Sequence, residues 1–241
     1  MAHGDAPHIH SQAHSAIDLL ALDHVALCVA DPGAMAAFLS DHLGMQELGV
    51  GGDAVRVGAG ARAAQLRLIP AEGPREAGAL GRLVLRVGDL QRAVAALPAE
   101  TDVREDGPDL VTFEGPEGLG LGFALVTGGG IDYDLDHVIL RVADPEETRA
   151  ALAELGCVPR GDALHVADKH IALEELPGWT DRPFLDHIAV RVESIEPISA
   201  QARRRGLDVD EDPPDDAFTI VLPGPERLRL DFVERTAADP A

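Results

Sequence analysis

A seven-residue stretch is written four times along this chain, and that repetition narrows the available folds more than any other feature of the sequence. Asp136-His137-Val138-Ile139-Leu140-Arg141-Val142 has counterparts in Asp23-His24-Val25-Ala26-Leu27-Cys28-Val29, Gly81-Arg82-Leu83-Val84-Leu85-Arg86-Val87 and Asp186-His187-Ile188-Ala189-Val190-Arg191-Val192. The equivalent positions 24, 82, 137 and 187 are spaced 58, 55 and 50 residues apart. A repeat of that length is one supersecondary unit that must bury its oily face against a neighbour. Each copy alternates with period two, the signature of a strand with two different faces. In the third copy Val138, Leu140 and Val142 form the oily face, with His137, Ile139 and Arg141 opposite; the fourth divides in the same way, with His187 and Arg191 on its mixed face.

The segments between the copies repeat as well. Asp31-Pro32-Gly33 and Asp144-Pro145-Glu146-Glu147 are helix-start signals, and Gly44, Gly156 and Arg205-Gly206 are stops. Strand-like runs follow each helix, at 54–57 and 64–69, 109–113 and 119–126, 163–167 and 169–175, and 217–222 and 228–233. The expected class is therefore α+β, built from four βαβββ modules. Thr127-Gly128-Gly129-Gly130 is the most linker-like point. It implies an N-terminal unit over 15–127, holding modules one and two, and a C-terminal unit over 131–235, holding modules three and four. Residues 1–14, with His3, His8, His10 and His14 and no apolar period, and residues 236–241 are expected to be tails. The acidic run from Asp208 to Asp216 is expected to be a solvated loop, since its spacing matches no EF-hand.

The charge balance excludes some functions. With 20 basic and 42 acidic residues the net charge is −22, which argues against nucleic acid or an anionic membrane as the main partner. No run approaches the length of a membrane span. The two cysteines, Cys28 and Cys157, lie in different modules and read as free thiols of a reducing cytoplasm. Lys169 is the sole lysine.

Chemistry is suggested by the ends of the last two modules. Module three closes with His170-Ile171-Ala172-Leu173-Glu174-Glu175, where Glu174 shares a face with His170 and Ala172; in Leu228-Arg229-Leu230-Asp231-Phe232, Asp231 faces away from the apolar residues. Each module of the second half thus offers an imidazole on its first strand and a carboxylate on its last. Two histidines and two carboxylates on concave faces make a mixed N/O donor set with open positions, suited to one divalent iron, manganese, nickel, cobalt or zinc ion.

These residues resemble the vicinal oxygen chelate superfamily, which includes glyoxalase I, methylmalonyl-CoA epimerase, extradiol dioxygenases and bleomycin-resistance proteins. The resemblance runs from about residue 20 to 235 and is carried by Asp23-His24, by the helix reaching Leu43-Gly44-Met45, and by the final turn Gly224-Pro225-Glu226-Arg227. It implies His137, Glu174, His187 and Asp231 as metal ligands, with Glu174 or Asp231 doubling as the catalytic base. It also implies Arg141 and Arg191 as binders of a substrate carboxylate, with His170 a further cavity-facing residue. In the first half only His24 matches; Arg82 and Gly122 replace ligands and Gln65 or Arg67 takes the remaining place, which implies a metal-free copy. The implied function is a metal-dependent lyase or isomerase of the glyoxalase or epimerase kind, acting on a small, oxygen-rich, anionic molecule through a metal-stabilised enediolate. The alternatives are an extradiol dioxygenase using iron, weakened because Tyr133 lies outside the last module and His187 is already a ligand, and a non-catalytic binding protein. A monomer or a homodimer would serve.

Overall fold

The computed structural model describes residues 17–51, 53–60, 64–128, 132–176, 180–210 and 217–235. The expected tails, the centre of the glycine linker and most of the acidic loop lie outside these. Module one comprises β1 (Leu19–Val29), α1 (Pro32–Leu43), β2 (Gln46–Gly51), β3 (Ala54–Gly58) and β4 (Gln65–Pro70). Module two comprises β5 (Leu80–Val87), α2 (Leu90–Ala95), β6 (Arg104–Glu105), β7 (Leu110–Glu114) and β8 (Gly120–Leu125). Module three has β9 (Leu135–Val142), α3 (Pro145–Glu154), β10 (Val158–Arg160), β11 (Ala163–Val166) and β12 (Lys169–Glu175). Module four has β13 (Leu185–Val192), α4 (Glu196–Arg205), β14 (Asp208–Asp210), β15 (Phe218–Val221) and β16 (Arg229–Glu234).

The local signals act as their chemistry dictates. Asp31, Asp89 and Asp144 each accept a hydrogen bond from the backbone N–H three residues on, at 2.9, 3.0 and 2.9 Å, capping α1, α2 and α3. Each such cap contributes about 1 kcal/mol. Helix α1 buries Met35, Ala36, Leu39 and Leu43, and the oily rows of the strands, such as Val25, Leu27 and Val29 or Val138, Leu140 and Val142, join the same core. Fully burying each large aliphatic side chain contributes about 1.5–3 kcal/mol. The strands β2, β6, β10 and β14, which carry no clear alternation, stand at the outer edges of the sheets. Their shortness, two or three residues in β6, β10 and β14, suits an edge.

The modules do not pair in chain order. One eight-stranded sheet runs β14-β15-β16-β13-β1-β4-β3-β2, and the other β10-β11-β12-β9-β5-β8-β7-β6. Module one therefore pairs with module four, and module two with module three, through antiparallel contacts between first strands. This corrects the expectation that modules one and two, and three and four, would share a sheet across the 15–127 and 131–235 halves. The four first strands have nearly the same pattern, so alternation alone does not choose their partners. Consecutive modules are instead tied across the two sheets. Glu117, in the turn after β7, accepts hydrogen bonds from the backbone N–H groups of Ala30 and Asp31, and Glu226, in the corresponding turn of module four, accepts one from Ala143 at 2.6 Å.

Candidate metal centre

In the first sheet the mixed faces of four strands meet. Antiparallel pairing sets His24 of β1 opposite Ala189 of β13, and His187 opposite Ala26. Beyond β13, Asp231 of β16 lies opposite Ala189; beyond β1, Gln65 and Arg67 of β4 lie opposite His24 and Ala26. The result is a convergence of donors: His187 Nε2 is 2.9 Å from His24 Nε2 and 3.4 Å from Asp231 Oδ2. Both His187 and Asp231 are buried, at 1% and 3% exposure. Thr219 donates to Asp231 Oδ1 at 2.7 Å and occupies that oxygen.

The histidines are fixed from behind. Asp23 holds His24 Nδ1 at 2.8 Å and Asp186 holds His187 Nδ1 at 2.7 Å. A carboxylate on one ring nitrogen places the proton there and leaves the lone pair of the other facing outward, as metal-bound histidines require. Burial raises the Asp23 carboxyl, but the hydrogen bond and charge of His24, with Arg191, more than offset it and leave it below the ordinary value. The hydrogen bond from His187 does the same for Asp186 despite burial, helped by the charges of His187 and Arg229. With both Nδ1 atoms protonated toward carboxylates, neutral rings would point two Nε2 lone pairs at each other. A contact of 2.9 Å then calls for a third proton or for a cation shared with Asp231. The donor types, two imidazole nitrogens and one carboxylate, are those a divalent metal takes, but among the described residues the trio whose donor atoms all lie within 4.8 Å of one another is Asp136, His137 and His170 of the second sheet, so His24 and Asp231 must draw together to share one ion with His187.

The sequence-expected ligands do not all meet. His187 and Asp231 do, but His137 lies in the other sheet, on β9 beside β5 and β12, and His24, expected to belong to a metal-free copy, stands at the centre. The cause is the pairing of modules one and four. Glu174 is also displaced: Asp231 lies opposite the residue two past its histidine, whereas in module three that place, opposite Ile139, is taken by Ala172. Glu174 lies opposite Arg141, four residues and about 13 Å along the strand from the position opposite His137. Its carboxylate is 3.8 Å from Arg141 Nε, a half-exposed pair. The matching place in module one is held by Arg67 and in module two by Gly122. Arg191 is paired with Asp23.

The second sheet carries a different cluster. His170 lies opposite His137, and His165 opposite His170. Asp136 holds His137 Nδ1 at 2.8 Å, and Arg86 Nε lies 3.8 Å from the other oxygen of Asp136. Burial raises the Asp136 carboxyl, yet His137, His170 and Arg86 bring it below the ordinary value. Burial, then the charge of His137, pushes His170 down to about 4. A cavity of about 700 Å³ beside this sheet is lined by Arg82, Arg104, Thr112 and Arg141. The aspartates behind the histidines were missed in the sequence, although Asp precedes His in three of the four repeats.

Comparisons with known proteins match this architecture. A family model described as Glyoxalase/Bleomycin resistance protein/Dioxygenase superfamily matches residues 21–219. No curated protein matches the chain. Among solved structures, a candidate dioxygenase from Bacillus subtilis superposes with a TM-score of 0.70 at 17% identity, covering 91% of this chain and 86% of that one. Glyoxalase I from Zea mays gives 0.68 at 15%, covering 90% and 92%. The cppA protein from Streptococcus pneumoniae gives 0.62 at 12%, covering 91% and 100%. At such identities the likeness is one of fold.

Proposed function

Since the chain belongs to the Glyoxalase/Bleomycin resistance protein/Dioxygenase superfamily, we propose that it is a divalent-metal-dependent enzyme whose metal is held by His24, His187 and Asp231. The observation that carries this reading is the 2.9 Å approach of two Nε2 atoms whose Nδ1 atoms are both committed to carboxylates. Bound there, the metal would polarise a pair of oxygens on a small anionic substrate. The protein's own residues do the rest. Asp23 and Asp186 fix ring orientation and tautomer, and Thr219 turns one oxygen of Asp231 toward His187. The register puts Arg67 where a fourth ligand, a second carboxylate, would stand, so that side of the site carries a positive rather than a negative residue.

Two histidines and one carboxylate with open positions form the donor pattern of oxygen-using non-haem iron sites, which favours the dioxygenase reading. One observation favours the lyase or isomerase reading instead. Among the described residues His42, Tyr133 and the histidines of the second sheet belong to other parts of the structure, so Asp231 is the group at hand to take a proton. The test is metal analysis and turnover of the chain beside His24→Ala, His187→Ala and Asp231→Ala, loaded anaerobically with iron(II) or with nickel, cobalt or zinc. Oxygen uptake with catechols under iron identifies the first activity; isomerisation of α-hydroxycarbonyl adducts under the other metals identifies the second. Metal content unchanged in all three variants would overturn the proposal. Metal binding without turnover of either substrate class would leave a binding protein.

A further inference from the structure

The cavity of about 700 Å³ opens on the module-two half of the second sheet. That volume suits a small organic molecule rather than an ion. The strand register lays out its floor. Arg104 of β6 lies opposite Thr112 of β7, and Thr112 opposite Gly122 of β8, so the three share one face. Arg82 of β5 comes over that face: a Cβ at Gly122 would stand 3.4 Å from its Cδ and 2.9 Å from the Val111 carbonyl oxygen. Glycine at 122 therefore lets the Arg82 side chain run across β8 and β7 to Asp106, just past β6. Two guanidiniums are thus brought to one end of the cavity beside Thr112. That threonine is only 4% exposed, and among the described residues its hydroxyl makes no hydrogen bond.

The arginines are held loosely. Arg82 is 3.4 Å from Asp106, Arg104 is 3.2 Å from Asp102 and Arg141 is 3.8 Å from Glu174, and all six side chains are partly or largely exposed. Water screens such pairs, so a ligand can take over a guanidinium at little cost. The charges are also layered. Glu100, Asp102 and Glu114 line the cavity but are exposed, whereas Arg82 and Arg141 are half-buried and Thr112 is buried. The floor is therefore positive and the rim acidic. Phe38 and Pro98, both half-buried, add apolar surface to the walls.

We propose that this cavity is a metal-free binding site for a small monocarboxylate with an apolar body, its carboxylate held by Arg82, Arg104 and the Thr112 hydroxyl. A guanidinium meets a planar carboxylate with two parallel N–H donors. The acidic rim selects against ligands of higher negative charge, and Phe38 and Pro98 take the apolar body. Arg82 and Gly122 hold the places that His187 and Asp231 hold in module four. The site therefore binds through arginine alone and stands independently of the centre formed by His24, His187 and Asp231.

The experiment is isothermal titration calorimetry of the full chain with naphthoate at low salt, beside the neutral naphthamide. A thermal melt of each variant verifies folding. Arg82→Gln and Arg104→Gln should each weaken naphthoate binding by about tenfold or more, since each removes a charged hydrogen bond. Asp106→Asn should tighten it by about two- to fivefold, because Arg82 is released from its exposed partner. A His24→Ala/His187→Ala variant should bind naphthoate as the parent does. No binding of naphthoate by the parent, equal affinity for naphthamide, or parent affinity in a folded Arg82→Gln/Arg104→Gln variant would overturn the proposal. Loss of naphthoate binding in the His24/His187 variant would place the ligand in the first sheet and overturn it as well.

Discussion

Replacing Lys169 by Met tests how the two sheets are held to each other. Lys169 and Asp134 are both buried, and Lys169 Nζ donates to Asp134 at 2.6 Å and to the more exposed Asp168 at 2.7 Å. Asp134 also accepts from the backbone N–H of Ala64 at 3.1 Å, just before β4 of the first sheet. The carboxylate therefore joins the start of β9 in one sheet to the entry of β4 in the other. Removing one partner of a buried ion pair costs about 3–5 kcal/mol, because the other charge is left without compensation. Asp134 would keep the Ala64 hydrogen bond, so the low end, about 3 kcal/mol, applies. For a chain of this size each kcal/mol moves Tm by about 2–4 °C, which gives a fall of about 6–12 °C. Calorimetry of the parent, Lys169→Met and Lys169→Met/Asp134→Asn measures it. Asparagine keeps an acceptor for Ala64 but carries no charge, so the double variant should recover most of the loss. A single variant melting within about 2 °C of the parent, or a double variant no more stable than the single, would refute the reasoning.

Other outcomes follow from the same structure. Asp186→Asn and Asp23→Asn should each weaken metal binding at the first centre by about 10–100-fold, measured by competition with a chromogenic chelator, since they loosen the hold on His187 and His24. The Asp23, Asp136 and Asp186 carboxyls titrate lower in the folded chain than in the unfolded one. Their contribution to stability is thus complete above the ordinary carboxylate value and lost as pH falls through the depressed folded values. Denaturant unfolding of metal-free protein should weaken below about pH 4, and the three Asp→Asn changes should flatten that slope. Burial pushes the Cys157 thiol up to about 12. A thiol reagent at neutral pH should label Cys157 only as the chain unfolds, and labelling of the native chain at the rate of a free thiol would contradict this.

The repeat, the βαβββ order and the two faces of each first strand could be read in the sequence because side-chain alternation and Asp-Pro helix starts are local signals. His187 and Asp231 could be read for the same reason. Partner choice could not. His24 and His137 sit in nearly identical strands, and the glycine-rich stretch near residue 128 suggested a division that hydrogen bonding between β1 and β13 does not respect. Glu174 shares a face with His170 and Ala172, the resemblance implies it as a ligand, and alternation does not distinguish positions on one face. Only the register with β9 places Ala172 opposite Ile139 and Glu174 opposite Arg141.

The nested pairing of modules also sets the order in which the chain can mature. β5 and β9 are joined by one module of chain, so the inner sheet can close during synthesis while the C-terminal segment is still being made. The outer sheet cannot. His24 leaves the ribosome early but waits for His187, 163 residues later, and then for Asp231. The metal-binding donors therefore come together last, after the inner scaffold stands, and a chain cut short before β16 would lack the centre even with its inner half intact. Loop closure over such a span also makes this sheet the slower one to form.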